Sequence, residues 1–348
     1  IEDVVGPSPT AATMKKKRPN VVVIGGGTGT STTLTGLRKY PVDLSVIVSM
    51  TDSGGSNRVI RDEFGLLPTS DLRQAMVALA GQGEEYLLRK LFTYRYNNGI
   101  GISGMTFGNL FMAALTDILG SQQQAIKETC RLLHVEGHII PVTYDNSQLV
   151  ARYDNGRQVL GEHHIDEPDE TLGKHKIVGL EVFPKAKANP EALEAIKIAD
   201  MIVMGPGDLY TSLLSNLVVA GVARAVAKSK AQKVFVINLM TKFSQTAGFT
   251  ASDHLFELYK YLAGGIVQTI LISEPFKLKK DIIERYGEEK AEIVVDDLNF
   301  SDQSPKPKVI RADLISNRIY EKPKSDALIR SLIRHDPDKL AKALMNLI

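Results

Sequence analysis

Asn20-Val21-Val22-Val23-Ile24-Gly25-Gly26-Gly27-Thr28-Gly29-Thr30-Ser31 is the stretch whose reading decides the fold. Four consecutive apolar, mostly β-branched residues without alternation describe a strand buried on both faces, as in a parallel sheet. The glycines close it in a tight turn, and the spacing predicts a helix beyond. Thr28, Thr30 and Ser31 offer capping hydroxyls, and Leu34 and Leu37 begin an apolar face at helical spacing. Residues 44–50 read as a second strand running into Thr51-Asp52-Ser53-Gly54-Gly55. Strand, glycine turn, helix, strand is the opening of a Rossmann-like, doubly wound α/β fold with a mainly parallel sheet.

Working outward, residues 72–80 and 110–118 are predicted helices, and Asn189-Pro190-Glu191 starts a helix reaching residue 198. Further buried strands are predicted at 201–204, 234–239 and 267–272. Residues 142–182 change character: short strands at 148–151 and 177–180 surround the turn Asp154-Asn155-Gly156, which predicts a small β insertion. Residues 301–308 read as a surface loop, and residues 325–348 as mostly amphipathic helix, so that C-terminal helices close the chain. Residues 1–13 are expected to be a leader or disordered extension ahead of Met14-Lys15-Lys16-Lys17-Arg18, leaving 14–348 as a single domain.

Composition narrows the function. The chain has 348 residues, with 42 Lys and Arg against 40 Asp and Glu, a net charge of +2. It therefore lacks the one-sided charge of a general nucleic-acid binder. Cys130 is the only cysteine, which excludes an intrachain disulfide and points to a reducing compartment. No run approaches the roughly 20 apolar residues of a membrane helix, and residues 1–13 carry no basic region ahead of an apolar stretch. The expectation is a cytoplasmic protein with no membrane span and no nucleic-acid partner.

Gly25 to Thr30 form the first candidate phosphate site: Gly25, Gly26, Gly27 and Gly29 let a backbone approach an anion, and the helix N-terminus beyond points free N–H groups at it. The motif is an incomplete dinucleotide fingerprint, since Thr30 stands where Gly or Ala is expected. A tight turn without a ligand is the alternative. Gly205-Pro206-Gly207-Asp208-Leu209-Tyr210-Thr211-Ser212 repeats the strand-to-helix pattern, with the hydroxyls of Thr211 and Ser212 placed to bond an anion or cap the helix. In open α/β sheets ligands bind at the carboxyl ends of the strands near the switch in strand order, so both turns can share one crevice. Gly205→Val is then expected to weaken binding while leaving the fold intact.

Asp208 beside a phosphate calls for a cation, and Mg²⁺ would serve. Asp52 could bind a metal or a ribose hydroxyl, or form the turn before Gly54 and Gly55. Arg58, Arg61, Asp71 and Arg73 make a charged loop that either grips phosphate or is a solvated ion-pair surface. Asn109 starts an apolar helix. Glu162-His163-His164 with Asp166, Glu167, Asp169 and Glu170 has no zinc-like spacing, and a polar β-hairpin edge accounts for it. No G-x-S-x-G elbow supports Ser-His-Asp catalysis.

Seven ordered blocks carry a resemblance that runs from about residue 20 to the end. They are GGGTGTSTTLTGL at 25–37, TDSGGSNRVIRDEFGLLPTSDLRQ at 51–74, FGNLF at 107–111, ADMIVMGPGDLYTSLLSNLVV at 199–219, NLMTKFSQTAGFTASDHL at 238–255, ERY at 284–286 and RHDPDKLAKAL at 334–344. With these the chain resembles the gluconeogenesis factor family, YvcK-like proteins within the CofD-like phospholactate transferase superfamily. The resemblance implies a Rossmann-like fold and a nucleotide or nucleotide-sugar ligand such as UDP-N-acetylglucosamine, in a branch linked to carbon metabolism, cell-wall synthesis and cell shape. The CofD branch implies instead a Mg²⁺-dependent transfer of a phospholactyl group from a nucleotide-activated donor to a deazaflavin. By motif, Gly25 to Thr30 and Gly205 to Ser212 would surround phosphates, Asp52 and Asn109 would line the crevice, and Phe249 and Arg285 would hold base or sugar. A homodimer is compatible with the resemblance.

Several positions depart from the family's pattern. Ser53 stands beside Asp52 where a second Asp is usual, Ser70 replaces a Gly, Asp208 replaces a Ser, and Phe249 replaces a Tyr. Lys242 to Thr246 diverges from the usual Pro-Gly-Glu-Thr.

Overall fold

In the computed structural model, residues 17–81, 86–300, 306–319 and 331–348 are described. The expected leader at 1–13, residues 301–305 of the predicted loop and residues 325–330 of the predicted C-terminal helix lie outside them.

The chain opens with strand, helix and strand as predicted, and five helices among the described residues, of which those at 72–80 and 110–118 are expected from the sequence, then precede the third strand: β1 (Asn20–Gly25), α1 (Gly27–Leu37), β2 (Asp43–Val48), α2 (Gly55–Phe64), α3 (Ser70–Leu79), α4 (Tyr86–Thr93), α5 (Phe107–Leu119), α6 (Gln122–Leu132) and β3 (His138–Pro141). A small antiparallel sheet follows, built from β4 (Gln148–Tyr153), β5 (Gln158–Leu160) and β6 (Ile177–Phe183) in the order β5-β4-β6. It corresponds to the expected β insertion. Between its strands lies α7 (Glu162–Asp166), one helical turn where a hairpin edge was predicted. The main sheet resumes with α8 (Pro190–Ile198), β7 (Met201–Met204), a π-type turn at Leu209–Leu214 continuing into α9 (Ser215–Leu217), α10 (Val222–Lys228) and β8 (Gln232–Val236). The last elements are α11 (Phe243–Thr246), α12 (Ala251–Tyr261), β9 (Thr269–Ser273), α13 (Lys280–Glu288), β10 (Lys308–Ala312) and α14 (Pro337–Met345).

The seven-stranded sheet runs β10-β9-β8-β7-β1-β2-β3, with every neighbouring pair parallel. From β1 the order proceeds one way through β2 and β3 and the other way through β7 to β10. The switch in direction therefore falls between β1 and β7, where an open α/β sheet leaves a crevice. Val21, Val22, Val23 and Ile24 are fully buried in the centre of this sheet, which explains their unalternating apolar run. On the sheet, α1 packs against α3 and α14, and α8 against α10.

The expected C-terminal helix is shorter than the pattern implied. Within the described residues it begins only at Pro337, with Asp336 as cap accepting from the amides of Asp338 and Lys339. The segment before it is extended: Ile315 bridges His335, and Ser316 N–H donates to Arg334 O at 2.9 Å. A proline at the first helical position fixes the start and leaves residues 331–335 free to form a wall of the cavity described next.

Candidate functional site

The two glycine turns meet at the switch point. Pairing of Ile24 with Met204 sets them side by side, and Gly205 N–H donates to Ile24 O at 3.2 Å. Their glycines first serve each other: a Cβ on Gly29 would stand 2.4 Å from Pro206 O, and one on Gly207 would stand 3.3 Å from Gly26 O. Thr30 Oγ1 lies 2.4 Å from where a Gly25 Cβ would be, so the missing third fingerprint glycine is accommodated by bare backbone at Gly25. Gly205 has φ +76°, and its Cβ would face Val236 O at 3.1 Å. The expectation for Gly205→Val is thus corrected: the side chain meets β8 and strains the backbone rather than obstructing a ligand.

A cavity of about 370 Å³ opens over these turns, within the range of small-molecule sites. Of the predicted residues, Gly26, Gly27, Thr28, Gly29, Gly207, Asp208 and Ser212 line it. Gly25 and Gly205 sit beneath the turns. Thr30 is buried with its hydroxyl unpartnered. Thr211 lies behind the wall, where its hydroxyl accepts from Gln245 Nε2 at 3.0 Å. Phe249 is half-buried, edge-on to His254 at 5.6 Å between ring centres. Arg285 is exposed on α13 and faces Glu289 at 3.9 Å, while its neighbour Tyr286 reaches the cavity.

Asn109 is buried away from the cavity and ties three helices together. It accepts from Arg73 Nε at 3.2 Å and donates to Ser56 Oγ at 2.9 Å and Ser70 Oγ at 3.3 Å. The charged loop is likewise structural: Arg61 binds Asn146 Oδ1 at 3.0 Å, and Arg73 is buried against Asn109. Arg58 is exposed.

The amides of the turns are divided between protein and cavity. Gly27 N–H donates to Asp71 Oδ1 at 2.9 Å, and Gly207 N–H donates to Asn238 Oδ1 at 3.1 Å while its carbonyl accepts from Asn238 Nδ2 at 2.8 Å. Of the predicted capping hydroxyls, Ser31 bonds backwards to Gly27 O instead, as the neighbouring Thr32 does to Thr28 O, and Thr30 Oγ1 has no partner. Gly26, the cap of α1, has no side chain to offer. The first-turn amides of Thr28 and Gly29 are thereby left without a side-chain cap, and both residues line the cavity.

The same cavity is lined by a cluster that the sequence pattern does not assemble. Lys242 Nζ donates to Asp208 Oδ2 at 2.9 Å and to Asp166 Oδ1, which also accepts from Gln245 Nε2 at 2.7 Å. Burial alone would lower the Lys242 pKa, but Asp208 and Asp166 outweigh it and raise the pKa, so the ammonium stays charged. Asp166 comes from α7, where Ser53 Oγ accepts from His163 N–H at 3.1 Å. In this turn the rings of His163 and His164 lie 5.6 Å apart, side by side and not on the opposite faces of a strand. Glu162 approaches Asp52, and burial raises both carboxyl pKa values, Glu162 the more because Asp52 and Asp166 add their charges. Only the acidic run at 162–170 and the departure at Lys242 hinted at this cluster.

The far wall comes from the extended segment 331–335 and from Tyr286. His335 is buried with Nε2 unpartnered, and burial lowers its pKa to about 4, so it is neutral at ordinary pH.

The donor set does not fit Mg²⁺. Asp52 does not line the cavity, and its oxygens accept from Gly54 N–H at 2.9 Å and Asn57 Nδ2 at 2.5 Å. Asp166 and Asp208, which do line it, are bridged by the Lys242 ammonium. Among the described residues no three His, Cys, Asp or Glu side chains group as a metal site. No helix among them is long and apolar enough to cross a membrane.

Comparison with known proteins agrees with this architecture. Residues 21–315 match the family described as 2-phospho-L-lactate transferase CofD. The gluconeogenesis factor of Halalkalibacterium halodurans is 39% identical over 334 residues, covering 95% of this chain and 97% of its own. The gluconeogenesis factor of Bacillus subtilis is 34% identical over 332 residues, covering 95% and 99%. A crystal structure of a UPF0052 family member from Bacillus halodurans has a TM-score of 0.84 at 36% identity, covering 95% of this chain and 99% of that one.

Proposed function

Because the chain belongs to the CofD family and matches gluconeogenesis factors over nearly its whole length, we propose that it binds a nucleotide-sugar of the UDP-N-acetylglucosamine kind. In this reading it is a regulatory protein linked to carbon metabolism, cell-wall synthesis and cell shape. The observation that carries it is the pair of uncapped amides at Thr28 and Gly29, set at the sheet's switch point on a cavity between two glycine turns. Such amides, with the positive end of the α1 dipole, suit an anionic diphosphate. The Lys242 ammonium adds a charge-assisted donor on the same cavity. The transferase reading, which needs a divalent ion beside the phosphates, is less well supported, because the two carboxylates there are already bridged by Lys242.

Calorimetry with UDP-N-acetylglucosamine tests the proposal, and no heat of binding at millimolar ligand would refute it. Thr28→Phe supplies the site-specific arm. Thr28 is partly exposed on the cavity wall at the second residue of α1, so a bulky ring there obstructs ligand without entering the core. The expected result is binding at least about tenfold weaker with an unchanged melting temperature; unchanged affinity would move the site elsewhere.

A further inference from the structure

We propose that Lys242 is a resident cation of this cavity, occupying the place beside the phosphates that a divalent metal would take, so that anionic ligands bind here without metal. The inference rests on the nucleotide-sugar reading and concerns how that ligand's charge is met.

Three segments far apart in sequence converge to make this arrangement. Asp166 arrives on α7, Asp208 follows the second glycine turn, and Lys242 precedes α11. All three line the cavity together with Gly26 and Gly207. Two carboxylates lining one cavity are the oxygen donors from which Mg²⁺ sites are commonly made, with substrate phosphates completing the shell. Here the ammonium stands between them instead, in contact with Asp208 Oδ2 and Asp166 Oδ1. A metal ion drawn to the same oxygens would meet a fixed positive charge at contact distance.

The lysine is also held at its root. Its backbone N–H donates to Thr246 Oγ1 at 2.9 Å, and the neighbouring Ser244 Oγ donates to Asp166 O at 2.8 Å, joining α11 to α7. An ammonium has three N–H donors. Two go to the carboxylates, and among the described residues no partner takes the third. That donor is available to a ligand oxygen in the cavity, so Lys242 takes two parts of a bridging metal's role: it offsets one of the two carboxylate charges and contacts the anion.

The test uses the full chain and two titrations. UDP-N-acetylglucosamine is titrated into wild type with EDTA and then with Mg²⁺, and into Lys242→Met under the same conditions. Met retains an unbranched stem of similar length and removes the charge. Wild-type affinity is expected to agree within about twofold between the two buffers. Lys242→Met is expected to lose about tenfold or more in EDTA and to recover part of it with Mg²⁺, because Asp166 and Asp208 are then released. In the second titration Mn²⁺ alone is followed by its paramagnetic signal; binding is expected to Lys242→Met and not to wild type.

Wild-type binding that appears only with Mg²⁺ overturns the inference and leaves the nucleotide-sugar reading intact. Mn²⁺ binding to wild type that Asp208→Asn abolishes also overturns it, whatever the nucleotide does and whether or not Lys242→Met folds. Absence of nucleotide-sugar binding in every buffer removes the reading itself and the inference with it.

Discussion

Asn109 does its work without touching the cavity. Its side-chain amide is fully buried, and its partners Arg73, Ser56 and Ser70 lie on α2 and α3. Ser70, where a glycine would be usual in the family, supplies one of these acceptors. Replacing Asn109 by Leu keeps the volume but removes the acceptor of Arg73 Nε and the donor to Ser56 Oγ and Ser70 Oγ. The expected cost is about 2–3 kcal/mol in chemical denaturation, the penalty of leaving buried polar groups unpaired. Ligand affinity of the folded variant should stay within about threefold; a larger loss would restore Asn109 to the binding surface that motif resemblance assigned it.

At the scale of elements, helix α1 is held from two sides by missing side chains. Near its start Gly29 admits the carbonyl of Pro206, and in its last turn Gly36 admits the N-terminus of α14, where a Cβ would stand 2.0 Å from Pro337 O. Both neighbours are backbone, which cannot rotate aside as a side chain can. Gly36→Ala, which would favour an isolated helix by about 1 kcal/mol, is therefore expected to destabilise this protein by about 1–3 kcal/mol. Thermal unfolding checks this, and increased proteolysis near residue 337 should accompany it as α14 undocks. A rise in melting temperature would show that the α1–α14 contact yields.

For the molecule as a whole, the buried histidine His335 links stability to pH. Its ordinary pKa is 6.5 and burial takes it to about 4 in the fold. Between these values the unfolded chain binds a proton that the folded chain does not, so stability present above pH 6.5 is lost as pH falls toward 4. His335→Gln should flatten the stability curve in that window, by up to about 1.4 kcal/mol per pH unit and about 3 kcal/mol in all. Denaturant unfolding at a series of pH values measures it, and identical slopes for variant and wild type would show that His335 titrates normally. Asp52 and Glu162 act in the opposite sense, since their raised pKa values make stability fall as pH rises through their folded values. Comparing variant with wild type isolates the histidine.

The amino-acid sequence by itself determined the parallel sheet, the two glycine turns, the presence of a small second sheet and family membership. Each of these rests on local periodicity or on ordered motifs, which need no knowledge of what lies across the fold. Tertiary structure decided which donors the site keeps. Asp71 takes the Gly27 amide from 44 residues away, Asn238 takes that of Gly207 from 31, and Lys242 reaches Asp166 across 76. A glycine turn looks the same in sequence whether its N–H groups are free or already bonded. Only the folded chain brings a carboxylate, an amide or an ammonium close enough to settle the matter, because hydrogen bonds and ion contacts act over a few ångströms of space and not over distance along the chain.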